Sequence, residues 1–175
     1  MNKINIVSYS PKASDKFFFD NNVWMYLYCP IGNYNQFSVS KYSDFFGKII
    51  DAGATIYVSS LILSEFFNSY SRLDFNIWRN GEDKNYKKDF RPTERFKETS
   101  EIIVNTIESR ILGIAERIND EFTNIPIEEI NEKCKDLDFN DGYYIELSKK
   151  YACKIVTNDR DFLNVSDEID IFTLH

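Results

Sequence analysis

Four acidic residues lie where predicted strands end or predicted helices begin, and they are Asp20, Glu65, Asp141 and Asp159. In parallel α/β folds, ligands bind at the carboxyl ends of the strands, so all four side chains can face one crevice. Carboxylates gathered in this way repel one another, and a bound divalent cation relieves that repulsion. Ligands that offer only oxygen favour Mg²⁺ or Mn²⁺ over zinc. One or two such ions could activate a water and stabilise the leaving oxygen of a phosphodiester.

Apolar runs and helical periodicities predict the elements that position these acids. The predicted strands are a short one at Ile4–Val7 and four others at Lys16–Asp20, Ala54–Val58, Cys153–Thr157 and Ile169–Thr173. The predicted helices are one from Val23 to before Pro30 and others at Ser43–Ala52, Leu61–Arg72, Thr93–Phe122 (one helix, or two divided near Gly113), Pro126–Lys133 and Asp141–Tyr151. The expected N-caps are Asn21 or Asn22, Ser59 or Ser60, and Asp138 or Asn140. This alternation predicts an α/β fold with a mostly parallel sheet covered by helices on both faces.

Composition excludes several classes of function. The chain has 175 residues, which fits a single domain over 1–175. Its single histidine is His175, so Ser-His-Asp and Cys-His nucleophile systems are excluded, and three widely spaced cysteines indicate no zinc site. A net charge of −7 argues against non-specific coating of nucleic acid. The sequence has no apolar run of the roughly 18 residues needed to span a bilayer, so we expect a cytoplasmic protein with no membrane partner.

One segment departs from the acidic balance of the chain. Residues 72–97 hold eight basic and five acidic side chains, and they interleave the basic ones with Phe75, Trp78, Tyr86, Phe90 and Phe96. The stretch 74–92 also carries Asn-Gly, a proline and dense charge, so we expect a long loop or insertion within 73–100. Such a loop could contact RNA, with aromatics on bases and cations on phosphates. The other interpretation, which we favour because acids are mixed throughout, is a solvated and partly core-anchored insertion.

Each acid also has a purely structural explanation. Asp20 could cap the helix that follows it, and Glu65 could be a solvated helix residue. Asp141 in a first helical turn complements the helix dipole. Asp159 and Asp161 could be turn residues. The chemical interpretation therefore depends on the coincidence of four acids at element ends.

Four motifs contain these acids: Phe17-Phe-Phe-Asp20-Asn-Asn, Val58-Ser-Ser-Leu-Ile-Leu-Ser-Glu65, Asp138-Phe-Asn-Asp141-Gly-Tyr-Tyr and Thr157-Asn-Asp159-Arg-Asp161-Phe162. Together they resemble the PIN-domain family of metal-dependent ribonucleases, from about residue 16 to the end of the chain. The block 138–162 is the most specific part of the resemblance. The sequence departs from the family at Gly142, where many relatives have a small residue such as alanine, and in the length of 73–100.

The resemblance implies a PIN-like three-layer α/β/α fold and a metal-dependent endoribonuclease. By it, Asp20, Glu65, Asp141 and Asp159 are the catalytic metal ligands for Mg²⁺ or Mn²⁺, and Asp161 is an auxiliary acid or supports the ligands. Asn21, Asn22 and Asn158 would hydrogen-bond the substrate phosphate or water on the metal. PIN proteins often act as the toxin of a toxin–antitoxin pair, so the implied partners are an RNA substrate, an antitoxin-like protein and a second PIN subunit.

Other functions remain open from the sequence. A degenerate PIN-fold module would bind RNA or a protein without cleavage, although retention of all four acids argues against it. A phosphatase with an aspartyl nucleophile is disfavoured, because Asp20 is followed by Asn21 and Asn22 rather than by a second aspartate two residues on. A nucleotide-binding domain is disfavoured further, because no glycine-rich phosphate loop follows a strand.

Overall fold

A six-stranded, wholly parallel sheet forms the centre of the molecule in a computed structural model that describes residues 2–164 and 169–175. The strands are β1 (Asn2–Asn5), β2 (Lys16–Phe19), β3 (Thr55–Val58), β4 (Glu116–Arg117), β5 (Lys154–Val156) and β6 (Asp170–Thr173). The α-helices are α1 (Asn21–Tyr28), α2 (Gln36–Asp51), α3 (Ser60–Arg79), α4 (Glu94–Thr106), α5 (Ile127–Lys133) and α6 (Phe139–Tyr151). The strand order β1-β6-β5-β2-β3-β4 confirms the predicted α/β class with a parallel sheet. None of the described helices has the length and apolarity needed to cross a membrane.

The centre of the sheet explains why β2 forms where it does. Phe17, Phe18 and Phe19 are at most 1% exposed, because helices cover both faces of this strand. Phe18 packs against Tyr144 of α6, and Phe17 packs edge-on against Phe45 of α2. β2 pairs with β3 on one side and with β5 on the other, so its carboxyl end lies between two neighbours.

In the first third of the chain, the structure differs from the prediction mainly in the residues at which the helices begin. α1 begins at Asn21 with Asp20 as its N-cap, and not at Val23 with an asparagine cap, because the Asp20 carboxylate accepts the backbone N–H of Asn21. α2 begins at Gln36, earlier than the predicted start at residue 43, since Asn35 accepts the N–H of Ser38 and caps it there.

The prediction of a long loop over 74–92 is wrong for most of this segment. α3 continues to Arg79, and a π-helical turn covers Tyr86–Phe90 before α4 begins. Phe75 and Phe90 are buried and pack against each other and against Trp78, so long-range aromatic contacts hold this segment in place. These contacts support the interpretation of the segment as anchored to the core.

The predicted helical run Thr93–Phe122 is also shorter than expected. α4 ends at Thr106, a π-helical turn follows at Ile107–Ile111, and the edge strand β4 comes next. The chain then pairs along β3, with the Ile118 N–H donating to the Val58 carbonyl at 3.0 Å. The two residues of β4 are both exposed, so no apolar alternation marks this strand in the sequence.

Candidate active site

The topology places Asp20 and Asp159 side by side at the carboxyl ends of β2 and β5. Phe19 and Val156 are paired across these strands, and the Asp20 N–H donates to the Val156 carbonyl at 3.0 Å. Thr157 joins the two acids, because its hydroxyl donates to the Asp20 carboxylate at 2.6 Å and accepts the Asp159 N–H at 2.9 Å. The Asp20 residue is only 6% exposed, so this carboxylate is held inside the protein by fixed hydrogen bonds.

Two helices supply Glu65 and Asp141. α3 follows β3 and carries Glu65 in its second turn, whereas Asp141 lies in the first turn of α6. The Asp138 side chain caps α6 by accepting the Asp141 N–H at 3.0 Å. The Tyr144 hydroxyl donates to the Glu65 carboxylate at 2.5 Å, which ties α3 to α6.

The charges of these acids act on one another. Burial, followed by the charges of Asp20, Asp138, Asp159 and Glu65, raises the pKa of Asp141 to about 8. Burial and the charges of Glu65 and Asp159 also raise the pKa of Asp20 to about 7, although the Thr157 hydroxyl bond lowers it in part. Burial raises the pKa of Glu65 against the lowering effect of Tyr144. All four predicted site acids therefore belong to one electrostatic cluster.

The acids do not form a ready-made metal cage in this conformation. Over residues 2–164 and 169–175, no three histidine, cysteine, aspartate or glutamate side chains are grouped closely enough to hold a metal ion. Asp161 is exposed at the start of a 3₁₀ turn, where its N–H donates to the Asp159 carboxylate at 2.9 Å.

The three predicted substrate-binding asparagines line the same end of the sheet. Asn22 donates to Asp20 and Thr157 and accepts the Asn158 N–H at 3.1 Å. Asn21 donates to the Ser69 hydroxyl at 2.9 Å, and its amide oxygen is buried without a hydrogen-bond partner among the described atoms. Their contact with a substrate stays a prediction.

Comparison with known families agrees with this architecture, since the family model described as PIN domain matches residues 17–168. The chain belongs to the PIN-domain family. Among proteins with curated descriptions, no sequence gives a significant match to this chain.

Two solved structures show the same PIN fold. A chain of VapBC2 from Rickettsia felis, bound in its crystal to a DNA fragment from their promoter, has a TM-score of 0.55 and 16% identity. The similarity covers 90% of this chain and 98% of that one. A chain of FitAcB from Neisseria gonorrhoeae has a TM-score of 0.50 and 15% identity, over 89% of this chain and 96% of that one.

The donor set of this PIN domain fits a divalent cation by its chemistry. The four acids offer only oxygen, as Mg²⁺ and Mn²⁺ prefer, and their mutual repulsion would be relieved by a positive ion. A ligating arrangement requires the carboxylates to approach one another more closely than they do here. Of the four, the Asp141 carboxylate accepts no hydrogen bond from the described residues, whereas Asp20 is fixed by Thr157 and two asparagines.

Sequence reasoning missed several residues that support the site. Thr157 and Tyr144 hold two of the acids in place. Asp138 was expected only as a helix cap, but its charge also contributes to the raised pKa of both Glu65 and Asp141. Tyr144 lies three residues after Asp141, and this helical spacing was the available signal. A cavity of about 540 Å³ beside Asp159 is lined by Asn22, Tyr26, Asn158, Asp159, Arg160 and His175.

Replacing Thr157 with valine is expected to destabilise this PIN domain by about 1–3 kcal/mol, because the buried Asp20 carboxylate and the Asp159 N–H both lose a partner. The free energy of unfolding from urea titrations measures the loss. Thr55→Val in β3 is the matched control, since the Thr55 hydroxyl has no described hydrogen bond. Equal stabilities for the two variants would show that the Thr157 hydroxyl does not hold the acids.

Proposed function

We propose that this PIN-domain protein is a Mg²⁺- or Mn²⁺-dependent endoribonuclease that hydrolyses RNA phosphodiester bonds, and that it acts as the toxin of a toxin–antitoxin pair. The observation that carries the proposal is the cluster of one buried and three half-buried carboxylates that repel one another at the carboxyl edge of the sheet, where Asp20 and Asp141 both have a raised pKa. Carboxylates that repel one another without a nearby positive charge lower the stability of the fold. Proteins retain groups with such shifted pKa values mainly at functional sites.

In the proposed site, Asp20, Glu65, Asp141 and Asp159 hold the cation. When bound there, a divalent ion supplies Lewis-acid activation of a water and stabilises the leaving oxygen. Thr157 fixes Asp20 relative to Asp159, and Tyr144 orients the Glu65 carboxylate. Asp161 is an auxiliary acid, which reaches the cluster through the backbone bond between its N–H and Asp159.

The substrate phosphate is proposed to enter beside Asp159. The cavity there is lined by amide side chains of Asn22 and Asn158 and by the guanidinium-bearing Arg160, which together suit an anionic group. The Asn158 amide donates to the Tyr26 hydroxyl at 3.0 Å, so its position is set before any substrate binds. Asn21 bonds Ser69 of α3 and is not among the residues that line this cavity.

The toxin role rests on family membership and fold. PIN domains are generally nucleases, and the VapBC2 and FitAcB chains share this fold. The proposed site is negatively charged when no cation is bound. An antitoxin-like partner that presents a basic side chain would complement this charge. By the same analogy, we propose that this protein forms a homodimer and is cytoplasmic.

A second candidate is a PIN-fold module that binds RNA or a protein without cleaving. The observation that favours it is the lack of a metal-holding group of acids over residues 2–164 and 169–175. The two functions predict different results with metal, because a degenerate site has no reason to bind Mg²⁺ or Mn²⁺.

The test is incubation of the purified chain with a pool of structured RNAs in Mg²⁺, in Mn²⁺ and in EDTA. We expect internal cleavage in one or both metals and none in EDTA. Metal-binding calorimetry on the same protein decides the alternative: metal binding without cleavage of this pool indicates a narrower RNA target, whereas failure to bind either ion supports the non-cleaving module.

A further inference from the structure

One face of α3 connects the acidic site to the basic segment. Glu65, Ser69, Arg72, Asn76 and Arg79 recur at spacings of four and three residues, so they form one polar stripe along the helix. Ser69 lies beside the site, because its hydroxyl accepts the Asn21 amide at 2.9 Å, and Asn21 follows Asp20. At about 1.5 Å per residue, Arg72 and Arg79 lie roughly 10 and 20 Å along the helix axis from Glu65.

Both arginines of this stripe are supported by aromatic rings. The Arg72 guanidinium lies 4.1 Å from the ring centroid of Tyr86, and that of Arg79 lies 5.6 Å from the ring of Phe75. The rings themselves are fixed, since the Tyr86 hydroxyl bonds Ser71 at 2.5 Å and Phe75 is buried. The guanidinium groups are therefore held in place before any ligand arrives, which lowers the entropy lost on binding.

These two arginines have no carboxylate partner among the described residues, whereas three of the six other basic residues of 72–97 do. Arg95 is paired with Asp74 at 2.6 Å, and Lys97 with Glu94 at 2.9 Å. No carboxylate among the residues that the structure describes lies within ion-pair distance of Arg72 or Arg79. In a chain of net charge −7, two cations that are held by aromatic rings and have no carboxylate partner mark a site for an external anion.

We propose that the α3 stripe formed by Ser69, Arg72, Asn76 and Arg79 binds successive phosphates of a single-stranded RNA and guides the strand to the acidic site. This inference rests on the proposed function and names how the substrate is held. Guanidinium groups match phosphate bidentately, and their alignment with Glu65 on one rigid helix fixes the path of the strand relative to the site.

The stripe reads the RNA backbone rather than its bases. Lys84 lies 4.4 Å from the ring centroid of Trp78, and Arg91 lies 5.5 Å from that of Phe96, so cations cover rings that could otherwise stack on bases. Phe90 is buried between its aromatic neighbours. Contacts to phosphate alone give affinity that depends on salt and not on sequence.

The experiment measures RNA binding in EDTA, so that it is independent of cleavage. Fluorescein-labelled 20-nucleotide oligouridine and oligocytidine are titrated with the full chain at several salt concentrations. We expect the double variant Arg72→Gln/Arg79→Gln to raise Kd about tenfold for both oligonucleotides. We also expect it to lower the slope of log Kd against log salt by about 1.4, from about 0.7 for each lost phosphate contact to a single strand.

Two further variants make the result specific. Arg72→Lys/Arg79→Lys keeps the charge and is expected to keep most of the salt slope. Lys41→Gln/Lys48→Gln on α2 removes the same net charge at another surface. Lys41 contacts Asp44 and Lys48 contacts the Val7 carbonyl, and neither lysine contacts the α3 stripe, so Kd is expected to stay within about twofold of the wild type. Far-UV circular dichroism and thermal melts confirm that all variants are folded.

The outcomes separate this inference from the proposed nuclease. Two results would overturn RNA binding by the α3 stripe, even where RNA is cleaved. One is absence of RNA binding by the wild-type chain, and the other is an equal Kd for the Arg72→Gln/Arg79→Gln and Lys41→Gln/Lys48→Gln variants. Loss of binding in the Arg72→Gln/Arg79→Gln variant of a chain that binds neither metal ion and cleaves no RNA supports the stripe and rejects the nuclease. Polyglutamate is titrated in parallel: an effect of the arginine changes on polyglutamate alone overturns the proposal and assigns the surface to an acidic protein.

Discussion

Replacing Asp141 with asparagine is expected to lower the rate of RNA cleavage by at least about 100-fold and to stabilise the metal-free protein at pH 8. The first effect follows from the loss of a proposed metal ligand, which removes both charge and a coordinating oxygen. The second follows from the raised pKa of Asp141, about 8, which shows that the folded protein disfavours a charge at this position. Because asparagine carries no charge, we expect a gain of about 1–2 kcal/mol in EDTA.

Asp141 is the cleanest of the four acids for this test. Asp20 caps α1 and accepts the Thr157 hydroxyl, and Glu65 accepts the Tyr144 hydroxyl, so their replacement would also break hydrogen bonds. The carboxylate of Asp141 has no such structural role among the described residues, and only its N–H bonds the Asp138 cap. A loss of activity in Asp141→Asn can therefore be assigned to the site and not to misfolding.

The measurement combines single-turnover cleavage in Mg²⁺ with urea unfolding in EDTA at pH 8. Asp136→Asn is the matched control, because Asp136 is exposed just before α6 and its loss changes the net charge equally. Unchanged cleavage by Asp141→Asn would mean that this residue is not part of a catalytic site. Lower stability of Asp141→Asn than of the wild type in EDTA would contradict the repulsion inferred for the cluster.

The positions of the four acids could be predicted because each depends on a local signal. Phe17–Phe19 is an unbroken apolar run of the kind that a central parallel strand requires, and it ends at Asp20. Asp138 precedes a helical pattern as an N-cap residue does, and it caps α6 in the structure. Strand ends and helix starts of this kind determine where the acids lie along the sheet edge.

What could not be predicted depends on contacts between distant parts of the chain. Thr157 bonds Asp20 only because β5 lies beside β2, and no local pattern at either residue indicates that neighbour. α3 extends to Arg79 because Phe75 packs against Phe90, which overrides the loop signals between them. Asn76 and Arg79 of the α3 stripe lie in this extension, so the predicted loop concealed the second half of the stripe.

The stability of the metal-free protein is expected to fall as the pH rises from 5 to 8. Asp20 has a folded-state pKa of about 7 against 3.8 for the unfolded chain, so its protonated form is favoured by folding. A group whose pKa is raised in this way contributes its full stability below the unfolded pKa and loses it as the pH rises through the folded pKa. For Asp20 alone, the loss between pH 5 and pH 8 is about 2–3 kcal/mol. This is a large part of the 5–15 kcal/mol that is typical of a domain.

Groups with lowered pKa values act in the opposite direction but at lower pH. The Lys154 ammonium and other hydrogen bonds hold the pKa of Asp15 below its usual value despite the burial of this side chain, so Asp15 adds stability that is already complete above about pH 5. The window from pH 5 to pH 8 therefore isolates the raised acids. Within it, Asp141→Asn is expected to flatten part of the slope, whereas the remote and exposed Asp44→Asn is expected to leave it unchanged.

Addition of Mg²⁺ or Mn²⁺ is expected to reverse this dependence on pH. A cation binds the deprotonated carboxylates, so its affinity and the stability that it adds both increase as the pH rises toward 8. Urea unfolding at pH 5, 6, 7 and 8, with EDTA and with 5–10 mM metal (about the excess that gives a clear shift), measures both effects. A metal-free free energy of unfolding that rises from pH 5 to pH 8 would contradict the raised pKa values. A metal increment that is the same at every pH would show that the ion binds outside the cluster of Asp20 and Asp141.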